Sequence, residues 1–418
     1  MSDPGADAPR GKRRRRLLVL LVTLALLAAS AGWLLQPERS VPVLLDRIGG
    51  SLDLDITAGR ADARLRGTPQ LVVRDLVVRV PGTQTVMLRA DRALLSLPWS
   101  TLRSRGTDLV VQRVELDAPV LDVPALQAWL AKRPPGAETR IPTLTDGLRI
   151  VDGRIDNHDW RIDGIAVDLP SLHPDRPANA HLRGRWLDAP TAIPFDLAVA
   201  MTRPANDAGI AATGHVTIER GDWRLPAAVH LAGPLHLGDG TLAMVPAKLG
   251  IAARYESGDT RLPFTLGLAG PLRSDDATWV LAPAGVTLRG DGPLPSFDAH
   301  GALALGRRLA IDLAGALPRW PEAWPALPPP VSASTSPLPF ALRYAGKPDL
   351  SDVASLSLRR DATAFDARFR LYDVIDWTQH AGGAPLPPLD GHLTSPKLVI
   401  SGATLDGVEV ELDDEAVP

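Results

Sequence analysis

The segment 262–271 has the sequence LPFTLGLAGP, in which bulky apolar residues alternate with small or polar ones. Similar segments occur at 193–199 (IPFDLAV), 225–234 (LPAAVHLAGP) and 338–346 (LPFALRYAG). The four starts are 32, 37 and 76 residues apart, and the last interval is about twice the others. A period near 35–38 residues is typical of an array in which each unit packs on its neighbour. The repeat therefore predicts stacked units of about two strands each.

Within each copy, alternation predicts a β-strand that Pro opens and Gly closes. One face is then apolar and carries Phe195, Leu197, Val199, Val229, Leu231, Phe264, Leu266, Leu268, Phe340, Leu342 and Tyr344. The other face carries small or polar residues such as Asp196, His230 and Thr265. Stacking the units produces a sheet with one continuous apolar face. The pattern alone favours a closed sandwich core over the alternative, an open groove that holds acyl chains. The scarcity of Phe (6), Tyr (3) and helices to cover the sheet argues mildly for the groove.

The composition agrees with a β-rich protein of many turns. The chain has 418 residues, is 45% hydrophobic, and contains 36 Gly and 40 Pro, which favours short elements over long helices. The absence of Cys excludes disulfides, thiolate metal sites and cysteine nucleophiles. Residues 1–16 hold six basic and two acidic side chains, so the other 402 residues carry 39 basic and 46 acidic ones, a net charge of −7. Such a body is a poor partner for nucleic acid.

The N-terminal region predicts a membrane anchor. Residues 17–35 are 19 residues without a charge, and as a helix they would rise about 28 Å, the thickness of a bilayer core. The basic segment 1–16 precedes them, which keeps the N-terminus in the cytoplasm and places the body in the periplasm. The alternative is a cleaved signal peptide, because 29–31 (ASA) resembles a cleavage site. Residues 33–35 (WLL) continue the apolar run past that site and favour a single-pass inner-membrane protein.

The organisation predicted for the body is β-dominated, with helices only at Pro124–Lys132 and Arg319–Leu327 and a turn near Trp99–Arg103. Breaks rich in Pro and Gly occur at 133–142 and 318–339. The predicted regions are a basic segment (1–16), a transmembrane helix (17–35), an N-terminal β region (36–132), a repeat β-groove region (133–327) and a C-terminal β region (328–418).

No sequence motif indicates catalysis. The chain has no HExxH, no P-loop and no strand–GxGxxG–helix pattern. The run Asp156-Asn157-His158-Asp159 lies between apolar residues and indicates a hairpin turn, not a metal site. We therefore predict a protein that is not an enzyme, without catalytic residues, metal or cofactor.

The order of these features resembles the AsmA-like family. The resemblance rests on an anchor and short helix followed by β-strands with small motifs in a fixed order. These motifs are Pro81-Gly82, Ala90-Asp91, Leu102 to Gly106, Leu116-Asp117-Ala118-Pro119, and the C-terminal stretches 386–393 and 398–410. The likeness covers about half of the body.

The resemblance implies an elongated, twisted, taco-like β-groove of the kind found in bridge-like lipid-transfer proteins. It implies a role in phospholipid transport or outer-membrane biogenesis, with membrane phospholipids and an outer-membrane protein as partners. It carries no catalytic residues to this chain. Two other hypotheses remain: a scaffold or assembly factor for outer-membrane proteins that uses exposed β-edges, and an envelope enzyme.

Overall fold

The computed structural model describes residues 53–64, 66–103, 110–132, 141–205, 207–238, 241–275, 278–324, 327, 329, 331–379, 388–400 and 403–414. The predicted basic segment and transmembrane helix lie outside these ranges. Within them, no helix has both the length and the apolar character needed to cross a membrane.

The described residues are mainly β, as predicted. They form 24 strands, of which 22 belong to one hydrogen-bonded sheet and two form a separate pair. The helices among them are short: α1 (Trp99–Arg103), α2 (Val123–Ala131), α3 (Leu371–Gln379) and a 3₁₀ turn (Val331–Ala333).

The chain divides into two compact units, Met1–Gly164 and Ile165–Pro418. The first nine strands are β1 (Asp55–Thr57), β2 (Arg60–Arg64), β3 (Gln70–Arg79), β4 (Val86–Ser96), β5 (Val110–Val111), β6 (Arg113–Asp117), β7 (Val120–Asp122), β8 (Thr143–Leu144) and β9 (Leu148–Asp156). The others are β10 (Arg161–Leu169), β11 (Ala178–Asp188), β12 (Thr191–Met201), β13 (Ala208–Arg220), β14 (Trp223–Gly238), β15 (Thr241–Ser257), β16 (Thr260–Asp275), β17 (Thr278–Gly290), β18 (Phe297–Leu305), β19 (Leu309–Leu317), β20 (Leu338–Gly346), β21 (Val353–Arg360), β22 (Thr363–Arg370), β23 (Asp390–Ile400) and β24 (Ala403–Leu412).

The first unit is built around the antiparallel pair β3–β4. Strands β1 and β2 both pair with β3, and β4 pairs with β6 and β7, which pair in parallel with β9. Helix α2 packs on this sheet, where Ala125 joins Val78 and Met87 in a buried cluster. Asp122 caps the helix, because its carboxylate accepts a hydrogen bond of 2.8 Å from the backbone N–H of Ala125. The helix predicted at Pro124–Lys132 is thus confirmed.

The second unit contains a simple meander. From β11 to β24, each strand pairs antiparallel with the next one along the chain. The four copies of the repeat lie in β12, β14, β16 and β20. Successive copies are therefore two, two and four strands apart. The predicted unit of two strands is confirmed.

The Gly-Pro pairs do not end the strands as predicted for Gly233 and Gly270. Strands β14 and β16 continue past them to Gly238 and Asp275, and the pairing register shifts at these points. A Cβ on Gly233 would lie 2.4 Å from the carbonyl oxygen of Pro246, and one on Gly270 would lie 2.2 Å from that of Pro283. Glycine is therefore needed because the neighbouring strand approaches closely at a β-bulge, not because the strand stops.

One helical prediction was wrong, one gave the right place as a turn, and one helix was missed. The described residues of Arg319–Leu327 form turns, because Trp320 and Trp324 pack on the sheet as anchors of an irregular connection. The turn predicted near Trp99–Arg103 is the one-turn helix α1, and α3 was not predicted.

Candidate functional site

The second unit carries a row of apolar residues that runs from strand to strand without a polar side chain. Each member is the register partner of the next, from β11 to β24. We call it the apolar row: Ala180, Val199, Ala212, Leu231, Leu249, Leu268, Val286, Ala299, Gly315, Phe340, Leu358, Phe365, Leu393 and Val410. A second row, displaced by two residues, crosses β11–β17 through Leu182, Leu197, Gly214, Val229, Ile251, Leu266 and Leu288.

The opposite face of these strands is polar, as the alternation predicted. Asp196, His230 and Thr265 are exposed between half-buried apolar neighbours. Ion pairs lie on this face, such as Arg289 with Asp298 at 2.9 Å. The sheet of the second unit is thus two-faced, and its apolar face is the candidate site.

The apolar row changes character along its length. Its members in β11–β16, which we call the accessible section, are all half-buried. Most members in β17–β22, the buried section, are nearly inaccessible, with Val286 at 5%, Phe340 at 8% and Leu358 at 8% exposure. Val286, Ala299, Phe340 and Leu358 belong to one hydrophobic cluster, and Leu266 and Leu268 of β16 pack against its edge, partly buried.

The predicted lipid-contacting residues fall into both sections. Eight of them lie half-buried in β12, β14 and β16: Phe195, Leu197, Val199, Val229, Leu231, Phe264, Leu266 and Leu268. The other three lie in β20, where Leu342 is half-buried while Phe340 and Tyr344 are buried in the closed part of the face. The Tyr344 hydroxyl donates a hydrogen bond of 2.6 Å to the carbonyl of Lys347, and burial raises the pKa of this phenol.

The connection between β19 and β20 contributes two indoles to the buried section. Trp320 and Trp324 pack against the hydrophobic cluster and against each other, with ring centroids 4.8 Å apart and planes at 83°. This edge-to-face geometry is favourable for aromatic pairs. The two tryptophans therefore complete a closed core over this part of the sheet.

Hydrogen bonds hold this connection against several strands. The Trp324 indole N–H donates to the carbonyl of Pro293 at 2.8 Å. The Arg360 guanidinium donates to the carbonyls of Val331 at 2.8 Å and Ser336 at 2.6 Å. The backbone N–H of Val399, in β23, donates to the carbonyl of Pro329 at 2.9 Å. The connection is thus anchored on three other parts of the unit.

An ion pair shows that the sheet curls around its apolar face. Arg220 is the last residue of β13. It lies on the apolar face because residues two apart in a strand share a face, and Val216 and Ile218 are on that face. Its guanidinium lies 3.6 Å from the carboxylate of Asp349, in the turn after β20. These strands are seven places apart, which is about 34 Å across a flat sheet. The apolar face is therefore concave between β13 and β20.

Comparisons with protein-family models, curated proteins and solved structures found no match to this chain. What the apolar face does must therefore be argued from its own geometry.

The described part of the chain offers one further cavity and no metal site. No three His, Cys, Asp or Glu side chains there are grouped so that they could hold a metal ion. A cavity of about 510 Å³ opens on the polar face, over strands β17–β22. Its lining on that face includes Ala304, Ala310 and Val353, with Arg343 and Asp312 beside them. It offers a small apolar surface flanked by charges.

Sequence analysis missed the residues that decide access to the apolar face. A signal for Trp320 and Trp324 was present, because two indoles four residues apart in a Pro-rich connection provide a large apolar surface that can pack on a sheet. The Arg220–Asp349 pair had no signal, since its partners are 129 positions apart in the sequence.

Proposed function

We propose that this chain is an AsmA-like, inner-membrane-anchored periplasmic protein whose curved sheet binds phospholipid acyl chains in a hydrophobic β-groove. Its role is phospholipid transport or outer-membrane biogenesis, without covalent chemistry. The observation that carries the proposal is the accessible section: an apolar row of six strands that is only half-buried and lies on a concave face.

The size and chemistry of the accessible section suit an alkyl chain. Six strands span five intervals of about 4.8 Å, or about 24 Å. One acyl chain fills half of a bilayer core, about 15 Å, so the section is long enough for it. Each methylene transferred from water to such a surface contributes about 0.8 kcal/mol. The head group stays in water, which the concave face permits.

The proposed location follows from the N-terminal sequence. The basic segment 1–16 and the uncharged segment 17–35 together favour a single span with the body on the periplasmic side. The short motifs shared with AsmA-like proteins support the same location. Membrane phospholipids would then lie within reach of the body.

Photo-crosslinking in cells tests the proposal on the full chain. A photoreactive amino acid at Leu231 lies on the apolar row, while one at the adjacent His230 lies on the polar face and is the matched control. We expect phospholipid adducts, detected by mass spectrometry, at position 231 and not at 230. Equal adduct yields at both positions, or none at either, would contradict the proposal.

A scaffold function is the second candidate, and the cavity on the polar face favours it. Strand β24 adds to this, because among the described residues it pairs only with β23 and its Leu405 is 44% exposed. An unpaired strand edge is a template for a partner strand. A photoreactive residue at Ala345, in the cavity lining, is expected to give protein adducts if this function is correct.

A further inference from the structure

Three guanidinium groups converge on one carboxylate at the margin of the accessible section. Arg224 Nε and Arg254 Nε each lie 2.5 Å from an oxygen of Glu256, and Arg261 Nε lies 4.0 Å away. Arg224 and Arg261 are the register partners of Glu256 on the two neighbouring strands. Each of these partners is one residue from a strand end, so the cluster lies at the rim of the sheet.

The charges of this cluster do not balance. The Glu256 side chain is 5% exposed, while those of Arg224, Arg254 and Arg261 are 64%, 56% and 51% exposed. Hydrogen bonds from Arg254 and Arg224 lower the pKa of Glu256, so the carboxylate stays ionised at neutral pH. Within this cluster one buried negative charge therefore serves three exposed positive charges, while Glu219, the register partner of Arg224 on β13, pairs with Arg185.

Two arginines elsewhere on the polar face, Arg289 and Arg359, are used differently. Arg289 donates to both carboxylate oxygens of Asp298 at 2.9 Å and to the carbonyls of Leu288 and Phe297. Arg359 makes the same set of contacts around Asp366. The terminal amino groups of these two arginines are thus engaged by protein acceptors.

Arg224 and Arg254 keep donors available. Each uses its Nε–H on Glu256, and its two terminal amino groups have no acceptor within the described ranges. Two aspartates of the adjacent turns, Asp222 and Asp259, are exposed and make no ion pair with a described residue. The guanidinium fork is the side chain that best matches a phosphate.

The apolar side of the same strand ends carries an aromatic pair. The rings of Trp223 and Tyr255 lie 5.8 Å apart at 35°. Both alternate in step with the apolar rows, next to Leu225 and Ala253. Amphipathic rings of this kind favour the boundary between hydrocarbon and water. The arginine cluster lies on the opposite, polar face of these strand ends, so a phospholipid on the apolar rows reaches it by passing its head group around the ends of the strands, beside the aromatic pair.

We propose that Arg224 and Arg254 bind the phosphate of a glycerophospholipid whose acyl chain lies on the apolar rows of β14–β16. This inference rests on the proposed function and adds the head-group class. Glu256 positions the two guanidinium groups and does not itself touch the lipid. Arg261 adds positive charge and is held by the carbonyls of Gly258 and Thr260.

The test uses membranes that contain the full chain and two photoreactive lipids with identical acyl chains, phosphatidylglycerol and diacylglycerol. In R224Q/R254Q, we expect phosphatidylglycerol capture to fall by at least about tenfold. A fall of this size corresponds to the loss of a single hydrogen bond to a charged group. Diacylglycerol capture should stay unchanged, because it has no phosphate. The matched control R289Q should capture both lipids as the wild type does.

Three outcomes would overturn the inference. Unchanged phosphatidylglycerol capture by R224Q/R254Q removes the phosphate contact, and an equal fall for both lipids assigns the arginines a structural role. R224K/R254K keeps the positive charges and a partner for Glu256, so it should capture more phosphatidylglycerol than R224Q/R254Q does. Equal capture by these two variants would also contradict the inference. Wild-type capture of neither lipid would overturn the proposed function itself, which separates that failure from the failure of the arginine site.

Discussion

The two sections of the apolar row have the same sequence pattern and different surroundings. Leu231 in the accessible section and Phe340 in the buried section both lie in copies of one repeat and on one face of one sheet. Leu231 is half-buried, and Phe340 is 8% exposed within a hydrophobic cluster. The difference comes from what packs around each strand: Phe340 belongs to the hydrophobic cluster on which Trp320 and Trp324 pack, and Leu231 does not. One repeat therefore contributes both to a closed core and to an accessible apolar surface along one sheet.

The comparison predicts its largest effect for a charge placed in each section. Phe340→Asp buries an unpaired carboxylate and removes a packed ring, so it should lower the free energy of unfolding by at least about 3 kcal/mol. Leu231→Asp can leave its carboxylate in water and should lower it by about 1 kcal/mol. Urea unfolding of the two full-length variants measures this difference. Equal destabilisation would mean that the accessible section is also a closed core.

Removal of an indole tests what closes the buried section. Trp324→Ala should lower the free energy of unfolding by about 2 kcal/mol, because a half-buried indole and its contact with Trp320 are lost. It should also allow lipid adducts from a photoreactive residue at Leu358, which we expect to be absent in the wild type. Trp279→Ala is the control: this indole is 39% exposed, and its loss should stay within about 0.5 kcal/mol. No gain of adducts at Leu358 would show that another element covers this section.

Glycine substitution tests the bulges that run through both sections. Gly270 has φ +152°, and a Cβ there would lie 2.2 Å from the carbonyl oxygen of Pro283. Gly270→Ala should therefore lower the free energy of unfolding by about 1–3 kcal/mol. In the same strand, Gly267→Ala places its Cβ at an ordinary 3.7 Å from Thr287 and should change stability by less than about 0.5 kcal/mol. Thermal unfolding of the pair distinguishes bulge strain from general intolerance of the strand.

The smallest effect is expected for the ion pair across the concave face. Hydrogen bonds from Ser351, and then the charge of Arg220, lower the pKa of Asp349 below 3.8. Because the folded-state pKa is the lower one, this stabilisation is present above the ordinary pKa and is lost as pH falls through the folded-state value. At pH 7, Asp349→Asn should lower the urea midpoint by less than Gly270→Ala does. At a pH below the folded-state pKa of Asp349, the substitution should leave the midpoint unchanged. A shift of equal size at both pH values would assign the effect to packing.

The sequence predicted the strands well where local chemistry decides them. The copies at 193–199, 225–234, 262–271 and 338–346 all lie in strands, and alternation sorted their side chains onto the correct faces. It failed at Gly233 and Gly270, because the Gly-Pro pair that predicted a strand end forms a bulge at these two positions and the strand continues. Only a neighbouring carbonyl distinguishes the two, and that neighbour belongs to another strand.

Local sequence alone determined the two-faced sheet, its two-strand unit and the capped helix α2, because alternation, turn residues and a capping aspartate act over a few residues. The tertiary structure decided which part of the apolar face is covered and how far the sheet curls. Trp320, Trp324 and the Arg220–Asp349 pair do this through contacts between elements distant in sequence. It also brought Arg224 and Arg261 from the two neighbouring strands to Glu256, since strand register sets which of these charges meet.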